Sequence, residues 1–108
     1  MALYDTFLKG VVNKEFTAHK KEEFLKMVKG LDTEGIKTFL LIVKFHDIRV
    51  SQQSSSMLPY GSHIDEKGVT FDLDKFPSLL QNILYKFMEM YIKNKQIELE
   101  RQMFNSNI

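Results

Sequence analysis

The sequence predicts a mainly α fold: a helical hairpin, a long C-terminal helix with one short β-strand in the loop before it, and an extra N-terminal helix. Three observations carry that expectation. Apolar residues recur at three- and four-residue steps through four separate segments, the spacing that aligns side chains on one face of an α-helix. Only Val69-Thr70-Phe71-Asp72-Leu73 alternates apolar with polar residues, the period of a half-buried strand. The 108 residues, 44% apolar and 27% charged, supply one hydrophobic core and not two.

Each element follows from its residues. Leu3, Tyr4, Phe7, Leu8, Val11 and Val12 predict a helix over 2–12, although Gly10 weakens it by about 1 kcal/mol relative to Ala. Thr17 is an N-cap for a second helix carrying Phe24, Leu25, Val28 and Leu31, with a lysine- and glutamate-rich solvated face opposite. Gly30 and Leu31 end it, and Asp32 caps a third helix whose first turn holds Glu34. Ile36, Phe39, Leu40, Ile42 and Val43 make this third helix the expected centre of the core. The short connection between the two predicts an antiparallel hairpin.

From Asp47 to Lys67 the periodicity disappears into a polar, serine- and glutamine-rich loop with turn residues Pro59 and Gly61. Ile48, Val50, Met57, Leu58 and Tyr60 are its candidate anchors. The strand at Val69 to Leu73 has acidic neighbours in Asp65, Glu66, Asp72 and Asp74. Its backbone groups need partners, and Ile48 to Ser51 is the one stretch that sequence pattern offers; otherwise the edge is open to an extended basic peptide. Asp74 or Ser78 caps the last helix, with Pro77 in its first turn. Phe76, Leu80, Ile83, Leu84, Phe87 and Tyr91 stripe that helix, and one of Met88 and Met90 falls off the stripe. Beyond Lys93 charged residues dominate, interspersed with Ile97, Leu99 and Met103, so this end projects from the body or meets a partner.

Several function classes lose ground on composition. Absence of Cys excludes a disulfide framework, a thiolate metal site and a cysteine nucleophile. A net charge of +1 argues against an extended phosphate-binding surface, so no direct nucleic-acid partner is expected. The longest apolar run, Phe39 to Val43, lies between Lys37 and Lys44 and is far too short for a membrane span. The N-terminus has no signal-peptide pattern, and the chain reads as cytoplasmic or nuclear.

No catalytic constellation stands out. His19, His46 and His63 sit in three separate segments without companion ligands, and each reads as a surface or loop histidine. Asp72 and Asp74 could share one strand face, but cap and solvent roles suit them better than a cation. Gly10, Gly30, Gly35, Gly61 and Gly68 are too scattered to cradle a phosphate. The expectation is a binding protein, not an enzyme, with no cofactor and no metal.

Two stretches bear a family likeness. Val69-Thr70-Phe71-Asp72-Leu73-Asp74-Lys75-Phe76-Pro77, followed by Leu80, Leu84, Phe87 and Met88, resembles the second half of the NET, or extra-terminal, domain of BET bromodomain proteins and related transcription and chromatin subunits. Phe24-Leu25, Val28, Leu31, Ile36, Phe39 and Ile42 resemble its opening hairpin. The likeness covers residues 17–91 of a single domain over 1–108. The helix at 2–12 and the extension at 92–108 lie outside it.

What the resemblance implies is a nuclear module that binds lysine/apolar peptide segments of chromatin or transcription proteins by strand addition. Val69, Thr70, Phe71 and Asp72 would form the docking strand, with Phe39 and Val43 lining the groove. Gly68 and Thr70 stand where the family has acidic residues, so Asp72, Asp65 and Glu66 would attract the lysines. The alternative is a helical assembly subunit, including a possible homodimer, that makes its contacts through the terminal helices.

Overall fold

A computed structural model describes residues 2–51, 58–65 and 68–106. Met57 and Glu66, both singled out above, lie outside the described residues. The order is α1 (Ala2–Lys9), α2 (Ala18–Lys29), α3 (Thr33–Ser51), β1 (His63–Asp65), β2 (Gly68–Thr70), a 3-10 turn (Leu73–Lys75) and α4 (Ser78–Ser106). The mainly helical class and the long last helix are as the sequence predicts.

The caps are local chemistry. Thr17 accepts the Lys20 N–H through its hydroxyl at 3.2 Å, and Asp32 Oδ1 accepts the Gly35 N–H at 2.8 Å. Each satisfies a backbone donor that a helix start leaves without a partner. At α4 neither expected cap holds: Ser78 is itself the first helical residue and follows Pro77, whose carbonyl accepts the Gln81 N–H at 3.0 Å. Asp72, not Asp74, does the nearby capping, holding the 3-10 turn through the Asp74 N–H at 3.1 Å.

Three expectations about elements need correction. α1 ends at Lys9, three residues early. α3 runs on to Ser51, so Ile48 to Ser51 is helical, and among the described residues the strand pairs elsewhere; Arg49 in this turn reaches Asp5 of α1 at 3.1 Å. The core's common partner is the first half of α4, which packs on α1, α2 and α3. Leu80, Ile83, Leu84, Phe87 and Met88 are all buried there, whereas Met90 is exposed.

One contiguous cluster includes Tyr4 and Phe7 of α1, Phe16 of the linker and Phe24, Phe39 and Phe76, so the N-terminal helix belongs to the body. Phe24 and Phe39 join α2 to α3 with ring centroids 6.1 Å apart. Two buried amides do the polar fastening, as buried polar groups must. Gln81 Nε2 donates to the Leu73 and Phe76 carbonyls at 2.9 and 3.0 Å, and Asn82 Nδ2 to those of Lys14 and Ser78, both at 2.8 Å.

Candidate functional site

The predicted strand is shorter than expected and is not alone. β2 pairs antiparallel with β1 in the register His63↔Thr70, Ile64↔Val69, Asp65↔Gly68. Two residues separate the strands, and in such a hairpin the residues flanking the loop exchange backbone bonds while the next pair does not. Gly68 and Thr70 therefore point their backbone groups at β1, and Val69 points its N–H and C=O outward. The expectation of an unpartnered strand is overturned on one edge. Sequence pattern missed β1 because three residues, His-Ile-Asp, are too few to show a period.

Phe71 and Asp72 lie beyond the strand. Phe71 is half-buried and stacks on Phe76 at 5.3 Å with 14° between the ring planes, and its ring lies 5.6 Å from that of Phe39. Those rings close over the place where a groove floor was expected. Phe39 is 1% exposed and Val43 0%, so neither lines a docking surface: both are core. Asp72 is exposed at the end of the strand segment. Asp74 forms an ion pair with Lys21 of α2 at 2.8 Å, and that bond raises the lysine's pKa above its ordinary value. Of Asp65, the backbone is placed in β1.

A groove does run along the outward edge of β2. Leu25, Val28 and Lys29 of α2 form one wall and Val69, Thr70 and Phe71 the other, around a cavity of about 290 Å³. Leu25 is 42% exposed, an open apolar side chain that the helical stripe of the sequence assigns to the core. Val69, Thr70 and Phe71 are thus brought together with Leu25 and Val28, which sequence reasoning did not name as site residues. Their signal was weak: Leu25 sits beside Phe24, about 100° round the helix from it, at the margin of the stripe.

On the other side of the hairpin, Leu40, Leu41 and Leu58 meet Ile64 of β1 around about 340 Å³, rimmed by Lys37 and Lys44. A third, more polar hollow of about 420 Å³ lies between the linker after α1 and α4. Its Lys20 stacks over the Phe16 and Tyr85 rings, and its Lys86 donates to the Gly10 carbonyl.

Histidines were expected at the surface, and His46 is the exception. It is 2% exposed and bonded to the Tyr4 hydroxyl. Burial drives its pKa below the ordinary value, Asp47 opposes that and Arg49 adds to it. Among the described residues no three His, Asp or Glu side chains gather as metal ligands, and no helix is long and apolar enough to cross a membrane. No protein-family model matches the chain, nor does any curated protein or solved structure.

Proposed function

We propose that this domain is a protein-interaction module that takes an extended peptide along the outward edge of β2. The observation that supports it best is the coincidence of outward backbone groups at Val69 with an apolar groove walled by Leu25, Val28 and Phe71. Strand addition needs both: main-chain bonds set register and alternate side chains enter pockets. With one edge of β2 already occupied by β1, the visitor would make a third strand.

Charge favours this side for a lysine/apolar segment. The β1 groove is rimmed by two lysines, whereas the β2 groove is bordered by one, Lys29, and the exposed Asp72 follows its Phe71 in the chain. The partner class, chromatin or transcription proteins, and a nuclear location rest on the NET resemblance alone.

The test is a titration of the labelled domain with a peptide of alternating lysine and apolar residues, followed by amide chemical shifts. Shifts confined to Gly68 through Asp72 and to Leu25 through Lys29 are expected, and Leu25→Glu should abolish them. Shifts centred on Leu41 and Ile64 would move the site to the β1 edge, and no shifts at all would remove the proposal. The alternative contact through both terminal helices narrows to one, because α1 buries Tyr4 and Phe7 in the body.

A further inference from the structure

α4 leaves the body half-way along. Within the body its inward face is Leu80, Leu84, Phe87 and Tyr91, at steps of four, three and four. Continuing the same steps arrives at Lys95, Glu98 and Gln102, all polar. The apolar residues instead move to other sides of the helix: Ile92, Leu99 and Met103 form one row, Ile97 and Phe104 another. Between the two rows lie Lys93, Gln96 and Glu100. Every residue from Ile92 to Phe104 is exposed, with Leu99 61% and Phe104 71% accessible.

This pattern is not suited to folding back on the body, because the side that continues the core-facing stripe carries charge. Lys95 there already reaches Asp32 at 3.7 Å. The extension propagates from the packed half of α4, but helices in proteins draw most of their stability from packing an apolar face, and from Ile92 to Phe104 every side chain is exposed. The outer face has the charge layout of a self-complementary surface. Lys93 stands near one end and Glu100 near the other, seven residues apart on one side of the helix, so a second copy laid antiparallel brings each lysine to the other copy's glutamate. Ile92 then meets Met103 of the other copy and Leu99 meets its Gln96, a layer spacing of the coiled-coil kind. A two-fold axis of this sort closes the assembly at two chains and leaves the bulky bodies at opposite ends.

We infer that residues 92–104 of α4 form an antiparallel helix pair with a second copy of this chain. None of these residues borders the β2 groove, so the inference stands independently of peptide binding.

Sedimentation equilibrium of the full chain over a concentration series tests it. A monomer–dimer equilibrium is expected, with Leu99→Glu monomeric while the folded body is retained by circular dichroism. Glu100→Lys should weaken the dimer about tenfold by setting like charges against each other, and adding Lys93→Glu should restore it. A chain that stays monomeric at concentrations on the order of 500 µM, or a Leu99→Glu variant that still dimerises, would overturn the inference. Rescue of Glu100→Lys by Lys95→Glu in place of Lys93→Glu would mean a parallel pair, and would overturn the antiparallel arrangement.

Discussion

The Tyr4 hydroxyl lies 2.6 Å from Nδ1 of His46, a bond between α1 and α3 that spans 42 residues of sequence and is buried. Both side chains are almost wholly enclosed, and burial acts on each in the same sense, towards neutrality: it raises the tyrosine pKa and lowers that of the histidine. With the imidazole proton on Nε2, the hydroxyl donates to Nδ1. Removing the hydroxyl in Tyr4→Phe leaves a buried ring nitrogen without this partner, so a loss of about 1–3 kcal/mol in folding stability is expected from denaturant titration.

The same burial makes stability depend on pH in a defined direction. The folded pKa of His46 lies below its ordinary 6.5, so in mild acid the unfolded chain takes up the proton first. Its contribution is complete above that value and declines as the pH falls below it, until the folded ring also protonates. Thermal unfolding from about pH 7.5 down to about 5 should show a falling melting temperature, with a shallower slope in His46→Gln. An identical slope in the variant would assign the effect to other groups.

A second long-range contact is readable by spectroscopy. Tyr91 of α4 donates to Asp32 Oδ1, the atom that also caps α3. The bond raises the tyrosine pKa to about 12 and lowers that of the aspartate. The pair's stabilisation is therefore present between the ordinary values of 3.8 and 10.0. It is lost in acid as Asp32 protonates below that range, and in base as Tyr91 ionises. An absorbance titration should show one late-ionising tyrosine that moves towards its ordinary value in Asp32→Asn.

Gly35 makes that contact possible. A Cβ there would lie 2.9 Å from Tyr91 Cε1 and 3.0 Å from Leu31 Cδ2. Alanine gains about 1 kcal/mol in helix propensity, but overpacking costs about 1–3 kcal/mol and wins where the ring is held by its own bond. Gly35→Ala should be destabilised by about 1 kcal/mol and should lose the late-ionising tyrosine.

These contacts mark the boundary of what was legible in the sequence. Thr17, Asp32 and the α2 and α4 stripes could be read because capping and helical period are local. The hairpin could not, because β1 is three residues long, and pairing joins residues whose only common feature is where the chain brings them. The pattern of Ile48 to Ser51 suggests only a strand or a loop, and the continuing backbone ladder of α3 makes it helix. Phe39 and Val43 were correctly marked as apolar and on a stripe, yet whether an apolar side chain lines a groove or fills a core depends on neighbours such as Phe71 and Phe76. Leu25 shows the converse, an exposed groove residue hidden in a core-like pattern. The burial of His46 was invisible because it depends on a partner 42 residues away, Tyr4.

The groove and its supporting aromatic cluster should separate by mutation. Phe71 stacks on Phe76 and meets Phe39 and Phe24, so Phe71→Ala is expected to cost about 2 kcal/mol, below the range for a fully enclosed ring because it is half-buried. Leu25 faces the groove and is substantially exposed, so Leu25→Ala should change stability by no more than about 0.5 kcal/mol. A Leu25 variant as unstable as that of Phe71 would mean that the groove wall belongs to the core.

Cutting the chain after Gln96 asks what the far end of α4 contributes. Tyr91 and Lys95 of α4 both meet Asp32 of the body, and every side chain from Ile97 to Phe104 is exposed. Folding of the body should therefore survive truncation, with melting temperature at high dilution close to that of the full chain. At high concentration the two should part. If α4 pairs with a second copy, mass action stabilises the full-length dimer, so its melting temperature rises with concentration while that of the truncated chain stays level. Equal curves at every concentration would leave the apolar rows without the partner assigned to them, and a truncated chain that melts early even when dilute would show that the extension supports the body directly.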